Sequence, residues 1–482
     1  MQRAPGAVRQ LSSPVFQLVP NAAAKPVRPV ALAALAELEL LPHRQRAAAR
    51  QAAQAPADPT FVPRNPGITD GPWSSSDDEV VQAALTDARK VAKQATTVAS
   101  ASQGSGLVLL GSSLGALERL AERYGQPRYR AQQLQDAVLN GAHSLQEMPT
   151  LPKEWRAQLA GDGVRTGRSI LHHSVVAADG TRKFLLQLAD GRLVEAVGIV
   201  SAAPEPPPEP GPVWRKAGRQ GEEQGQSRGR RLTACVSSQV GCPMRCSFCA
   251  TGKGGFARNL SAAEIVDQVM TVREQFGKRV SNVVFMGMGE PLLNLPAVVS
   301  AFHIINEQLG VGAQRITIST VGVPNTLRRL ARERLKATLA VSLHAPSQAL
   351  RESLVPSAKA YPLKELMKDC VAYYQHTGQR VTYEYTLISG VNDSVEQARE
   401  LAELLRSYDL FSHVNVIPWN PVDDSHYKRP SRDRVMAFVK ELDAAGVPAT
   451  IRMTKGLEAA AACGQLRNNF QKQPLAEFAV PK

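Results

Sequence analysis

Three things are scarce in this chain of 482 residues, and each scarcity excludes something. No run of 18 or more apolar residues occurs, so no transmembrane helix is expected. There are six cysteines, three of them in one short loop and three far apart. That is unlike the dense disulfide framework of a small secreted domain, and it points to a reducing compartment. Acidic residues are absent from the first 36 positions, Glu37 being the first. An Arg- and Ala-rich leader this poor in acidic residues has the composition of an organelle transit peptide, predicted over residues 1–60.

The acid deficit extends to the whole chain. The formal net charge is +14, which points to a polyanionic partner, nucleic acid in the first place. Residues 61–106 are polar and read as a linker. Residues 107–165 carry apolar positions at helical spacing, broken by the turn Gly125-Gln126-Pro127, and predict a helical module. The exposed-face arginines Arg119, Arg123, Arg128 and Arg130 suit an RNA backbone there, or simply a soluble helix face. Over 166–200 the apolar period becomes two, a small β extension. Residues 201–231 form a Pro-rich, then basic, insert. From 232 to 470 six strand–helix units alternate, which predicts an α/β fold with a parallel sheet curled into a partial barrel; residues 471–482 are a tail. In such a fold the chemistry sits at the C-terminal ends of the strands.

The chemistry-bearing residues fall at those ends. The run GCPMRCSFCATG places Cys242, Cys246 and Cys249 in one loop after the first barrel strand. A structural zinc site is closed by four protein ligands, and a four-iron cluster also has four corners. Three thiolates therefore leave one iron open to a substrate; a zinc knuckle with a distant fourth ligand is the rival reading. Phe248 is placed to shield such a cluster, and Lys253 and Arg258 are either close to an anion or solvated charges. The second strand ends in MGMGEP, where glycines let backbone approach a ligand and Glu290 is placed to accept from an ammonium. Ser319, Ser342 and His344 end the third and fourth strands, and Asn420 precedes a proline after the sixth. Hydroxyl, imidazole and amide groups there suit a carboxylate, a ribose or an adenine edge; His344 also reads as a satisfied structural histidine. Cys370 lies on an apolar helix face and takes no role. Cys235 and Cys463 stand near the site in sequence context. A disulfide between them is one reading, and covalent chemistry with one carrier and one resolving thiol is the other.

The three-cysteine spacing resembles that of the radical S-adenosylmethionine (SAM) superfamily. The runs CVSSQVGC, CSFCATGKGGFARNL, FMGMGEPLLN, ISTVGV, SLHAP, IPWNP and AACGQL, in that order, resemble the RlmN/Cfr family of radical SAM RNA adenine methyltransferases over about residues 107–470, the 201–231 insert apart. The resemblance implies a radical SAM partial (β/α)6 TIM-like barrel with an N-terminal helical module and small β extension. It implies a [4Fe–4S] cluster on Cys242, Cys246 and Cys249. SAM contacts are implied for Gly289, Glu290, Ser319, Ser342, Leu343, His344 and Asn420. Cys463 is the implied carrier, methylated by a first SAM; a radical from a second SAM then activates that methyl for addition to an adenine carbon. Cys235 is the implied resolving thiol, leaving a transient disulfide with Cys463. Glu195, in a Val-Glu strand before the cluster, is the implied proton acceptor, and the long insert after it loosens that match. The implied product is adenine methylated at carbon 2 in 23S-type rRNA, protein-poor or naked, and also in tRNA. Methylation at carbon 8 and a radical SAM reaction on a non-RNA substrate are the alternatives. A ferredoxin- or flavodoxin-like electron donor and a monomeric state are expected. The leader points to the plastid stroma, with the mitochondrion or, without a transit peptide, the cytoplasm as alternatives.

Overall fold

A computed structural model describes residues 107–201, 231–410, 412–423 and 425–467. The transit-peptide, linker and tail segments expected from the sequence, and nearly all of the insert, lie outside the described residues.

The helical module is built from Leu114–Arg123, Tyr129–Leu139 and Lys153–Gly161. Ser113 caps the first helix by accepting from the Ala116 N–H. Leu117, Leu120, Leu134, Trp155 and Leu159 form its buried face. A meander follows: β1 (Ile170–Val176), β2 (Arg182–Gln187) and β3 (Leu193–Val200), all antiparallel. The sequence suggests a small β extension over 166–200. The structure joins it to the barrel, because β3 pairs antiparallel with β4 (Leu232–Cys235), with Val197 opposite Cys235. The chain leaves β3 and re-enters β4 through one backbone bond, Ser201 N–H to Arg231 O at 2.9 Å.

Two short strands, β5 (Gln239–Gly241) and β6 (Phe256–Asn259), form their own antiparallel ribbon around the cysteine loop. The parallel sheet then runs through β7 (Asn282–Phe285), β8 (Ile316–Thr320), β9 (Thr338–Ser342), β10 (Val381–Leu387), β11 (Ser412–Pro418) and β12 (Ala449–Ile451). The whole sheet has ten strands in the order β1-β2-β3-β4-β7-β8-β9-β10-β11-β12. The six expected parallel strands are all present. The additional parallel strand β12 is three residues long, too short to give a periodic signal in the sequence. Every residue of β10 is buried, as a strand covered on both faces requires.

Helices Ala262–Phe276, Leu295–His303, Thr326–Arg332, Gln348–Leu354, Leu363–Thr377, Val395–Ser407 and Arg432–Ala444 alternate with these strands. Capping boxes start two of them, Ser261 with Glu264 and Ser394 with Gln397. The meander is pinned to helix Ala262–Phe276 by Arg168, which pairs with Asp267 and, at 2.7 Å, with Glu274. Among the described residues no helix is long and apolar enough to cross a membrane.

Candidate active site

The C-terminal ends of β7, β8, β9, β10 and β11 open onto a cavity of about 130 Å³. Cys242, Cys246 and Cys249 line it, together with Gly289, Glu290, Ser319, Ser342, His344 and Cys463. The cysteine loop is held by four other segments. Cys242 N–H donates to Gly255 O on the ribbon at 2.7 Å. Ser247 N–H donates to Leu354 O at 2.9 Å, and Trp419 Nε1–H to Phe248 O at 3.0 Å. Ala250 N–H donates to Gly464 O at 2.8 Å, which ties the loop directly to the segment carrying Cys463. Phe248 is buried edge-on against His344, with ring centres 4.8 Å apart, and lines the cavity.

Glu290 is buried and fixed. Its Oε1 accepts from the Leu292 N–H and its Oε2 from the Val321 N–H, both at 2.9 Å. Burial pushes its carboxyl up to about 6, against those hydrogen bonds and one from Thr320. Gly289, at φ +104, sits where a Cβ would lie 2.6 Å from Gln239 Cβ, so only glycine gives this turn. His344 has a left-handed backbone (φ 62), and its Nδ1 accepts from the Thr386 N–H at 3.0 Å. Burial pushes its imidazole down to about 3, so it is neutral with the proton on Nε2. Ser319 and Ser342 place their hydroxyls 3.4 Å apart.

Two residues for which the resemblance implies SAM contacts, Leu343 and Asn420, are not among those lining the cavity. Leu343 is fully buried in the core, its backbone N–H donating to Glu384 O. Asn420 is committed to the protein: its Nδ2 donates to Cys463 O at 3.0 Å, and its Oδ1 accepts from Arg429 and Thr454. Asn420 therefore helps to position the Cys463 segment, and one N–H of its amide is not used in these bonds. Arg258 is neither an anion contact nor a solvated charge. It is buried between Asp190 (2.7 Å) and Glu264 (2.8 Å) and locks the ribbon to the meander turn. Lys253 is exposed, with Nζ donating to Asp423 O. Cys370 is buried as expected. Of the module's arginines, Arg128 pairs with Glu122, Arg130 bonds Gln133 and Thr150 O, and Arg119 and Arg123 are exposed.

Cys235 ends β4 as a buried free thiol, and Cys463 is a free thiol open to the cavity. Although Cys463 is exposed by surface area, protein crowds it, and burial pushes its thiol up to about 11. Burial pushes Cys235 to about 12, with Cys463 beside it adding to the rise. Arg452, which the sequence does not single out, opposes the shift at both thiols. Its Nη1 lies 3.1 Å from Met286 Sδ and 3.3 Å from Glu384 Oε2. It follows the short strand β12, and with that strand hidden in the sequence the arginine is hidden too. Glu384 carried a faint signal, a charge in the centre of the otherwise uncharged run VTYEYTL. Glu195 is buried on β3 with Lys183 Nζ at 3.1 Å. Burial raises its carboxyl, while the Lys183 ammonium and the Arg467 backbone N–H oppose the rise. That backbone contact brings it close to the Cys463 segment.

Among the described residues no set of three or more His, Cys, Asp or Glu side chains gathers to hold a single metal ion. Three of the four cysteines lining the cavity come from one loop, and soft thiols grouped in that way fit an iron–sulfur cluster held by the loop alone. The carboxylate of Glu290 and the paired serines beside them fit an amino acid and its attached ribose. Fold and site together define a radical SAM enzyme.

The comparisons agree. The Radical SAM superfamily signature matches residues 236–405. The chain is 52% identical over 362 residues to the probable dual-specificity RNA methyltransferase RlmN of Thermosynechococcus vestitus, covering 75% of this chain and 98% of that one. It is 52% identical over 360 residues to the RlmN so named from Gloeobacter violaceus, covering 74% and 94%. The crystal structure of a radical SAM methyltransferase from Sphaerobacter thermophilus superposes with a TM-score of 0.66 at 41% identity, over 75% of this chain and 99% of that one. The chain belongs to the RlmN family.

Proposed function

We propose that this enzyme methylates carbon 2 of an adenine in 23S-type rRNA and in tRNA, consuming two SAM molecules and carrying the methyl on Cys463. The observation that carries the proposal is a free thiol, Cys463, facing the three-cysteine loop across one cavity, with a second free thiol, Cys235, buried beside it. Carbon 2 of adenine is electron-poor and offers no lone pair to a methyl cation donor. When bound, the cluster supplies the single electron that splits SAM homolytically and gives access to such a carbon. Glu290 holds the ammonium of SAM, and Ser319 and Ser342 its ribose and carboxylate. The Cys463 thiol loses its proton and takes a methyl group from the first SAM. Cys235 ends the cycle by attacking the Cys463 sulfur, so that a carbon–sulfur bond breaks as a disulfide forms. Glu195 takes the proton that leaves the ring carbon. The adenine is unstacked to reach the cavity, and the helical module with its exposed arginines holds the RNA backbone.

The enzyme acts as a monomer on protein-poor RNA and takes its electrons from a ferredoxin- or flavodoxin-like donor. Its acid-poor leader supports delivery to the plastid. A reporter fused to residues 1–60 tests that address; cytosolic fluorescence removes it. The decisive assay is incubation of unmodified RNA with reduced, reconstituted protein and methyl-labelled SAM, followed by mass spectrometry of nucleosides. The expected product is 2-methyladenosine. Label at carbon 8 assigns the other branch of the family, and label in neither position overturns the proposal.

A further inference from the structure

The helix Gln348–Leu354 lies directly against the cysteine loop. Besides the Ser247–Leu354 hydrogen bond, Leu354 and Val355 pack with Cys246 and Phe248 in one buried cluster. This helix carries Arg351, one of the largest fully buried side chains of the protein. Its Nε donates to Leu343 O at 3.2 Å, and its Nη2 to Val321 O at 2.6 Å and Ser342 O at 3.3 Å. These carbonyls follow or end β8 and β9. They solvate the guanidinium and bring no opposite charge.

The other enclosed arginines are compensated. Arg168 and Arg258 each hold two carboxylates, and Arg452 holds Glu384. Among the described residues no carboxylate pairs with Arg351. An unpaired charge at this depth is costly, more than carbonyl hydrogen bonds return. The ionisable groups whose fields reach it are Cys246, Cys370 and Tyr361. Burial holds Cys370 and Tyr361 in their neutral forms. Cys246 is left, and it carries charge when it ligates iron.

We propose that Arg351 is the fixed counter-cation of the iron–sulfur cluster, a positioning residue that sets the potential at which the cluster accepts its electron. The inference rests on the reading of Cys242, Cys246 and Cys249 as the cluster ligands. The step is the addition of one electron from a low-potential one-electron donor to the oxidised cluster. No bond breaks and no proton moves. The oxidised core with three thiolates carries one net negative charge, and the added electron makes it two. A fixed cation beside Cys246 favours the second state over the first, so its removal makes the cluster harder to reduce.

The test uses the full-length protein, reconstituted anaerobically, with iron and sulfide counted and the reduced cluster followed by EPR in a mediated potentiometric titration. Arg351→Gln removes the charge and keeps a hydrogen-bond donor; Arg351→Lys keeps the charge and loses the guanidinium fork. The expected result is a midpoint near wild type for the Lys variant. For the Gln variant the ratio of reduced to oxidised cluster at a given potential falls about tenfold, a shift of ~59 mV to more negative potential. A Gln variant with normal iron content and an unchanged midpoint overturns the proposal. So does a Lys variant that shifts as far as Gln, because the carbonyl bonds and not the charge then matter. If Arg351→Gln loses its cluster on purification, Arg351→Lys decides: retained iron at the wild-type midpoint supports the proposal, and loss in both variants assigns Arg351 to the core. Absence of iron and sulfide from the wild type brings down the cluster reading as well, whereas an unchanged midpoint in an intact cluster sinks this inference alone.

Discussion

Cys463 and Cys235 make different demands on the same sulfur chemistry, and single substitutions separate them. Cys463→Ala removes the methyl carrier, so methyl transfer to RNA is expected to fall by ~10³-fold or more, with iron content and SAM cleavage preserved. Cys235→Ala leaves the carrier but removes the thiol that releases it. A protein–RNA adduct is then expected to accumulate, visible as a slow band on a denaturing gel; free methylated RNA at the wild-type rate would remove Cys235 from the cycle. Glu290 gives a pH signature. Its folded-state value of about 6 lies above the ordinary 4.5, so folding favours the neutral form. Its contribution to stability is full below the unfolded value and is lost as pH rises through about 6. SAM affinity runs the other way, because only the carboxylate accepts well from an ammonium. Calorimetric titration with SAM on either side of pH 6 is expected to show tighter binding above it, and Glu290→Gln to flatten the difference.

At the scale of elements, the sequence was most legible where function sits in local runs. The cysteine loop, the glycine turn before Glu290 and the serines ending β8 and β9 are contiguous motifs, and the structure places them around one cavity. What escaped was decided by pairing across the chain. Asn420 reads from its sequence as a ligand contact, and its bonds to Cys463, Arg429 and Thr454 add a hold on the Cys463 segment that no local run shows. Arg258 looks like a mobile cation until Asp190 and Glu264 close on it. Arg351 and Arg452 carry no local signal, since a buried arginine on an ordinary helix or after a three-residue strand reads as surface. The ribbon of β5 and β6 was also missed, because three- and four-residue strands show no period. It is nevertheless the frame of the loop. Gly241, at φ +80, would place a Cβ 2.0 Å from Gly255 O, a backbone atom that cannot step aside. Gly241→Ala is expected to cost about 1–3 kcal/mol and to release iron. Thermal unfolding and iron content of the reconstituted variant check both.

At the scale of the molecule, the meander and the barrel are one sheet, and the junction is charged. Arg168 is almost fully enclosed between Asp267 and Glu274 on the neighbouring helix. Its replacement by Met strands the buried Asp267 carboxylate, for an expected loss of about 3–5 kcal/mol in chemical denaturation. A loss below about 1 kcal/mol would mean that the junction is held by apolar packing alone. The sequence showed that a β segment precedes the barrel. That it is an edge of the barrel sheet was hidden, because antiparallel pairing of β3 with β4 spans the intervening residues 202–230 and leaves no trace in either strand alone.

The single bond between Ser201 and Arg231 has a practical corollary. Because the two strand ends already meet, the length of whatever connects them enters only through a slowly growing closure entropy. This makes the junction a natural splice port: a short glycine-containing turn in place of residues 202–230 should leave catalysis intact, and cargo as large as a folded tag should be graftable there without disturbing the barrel.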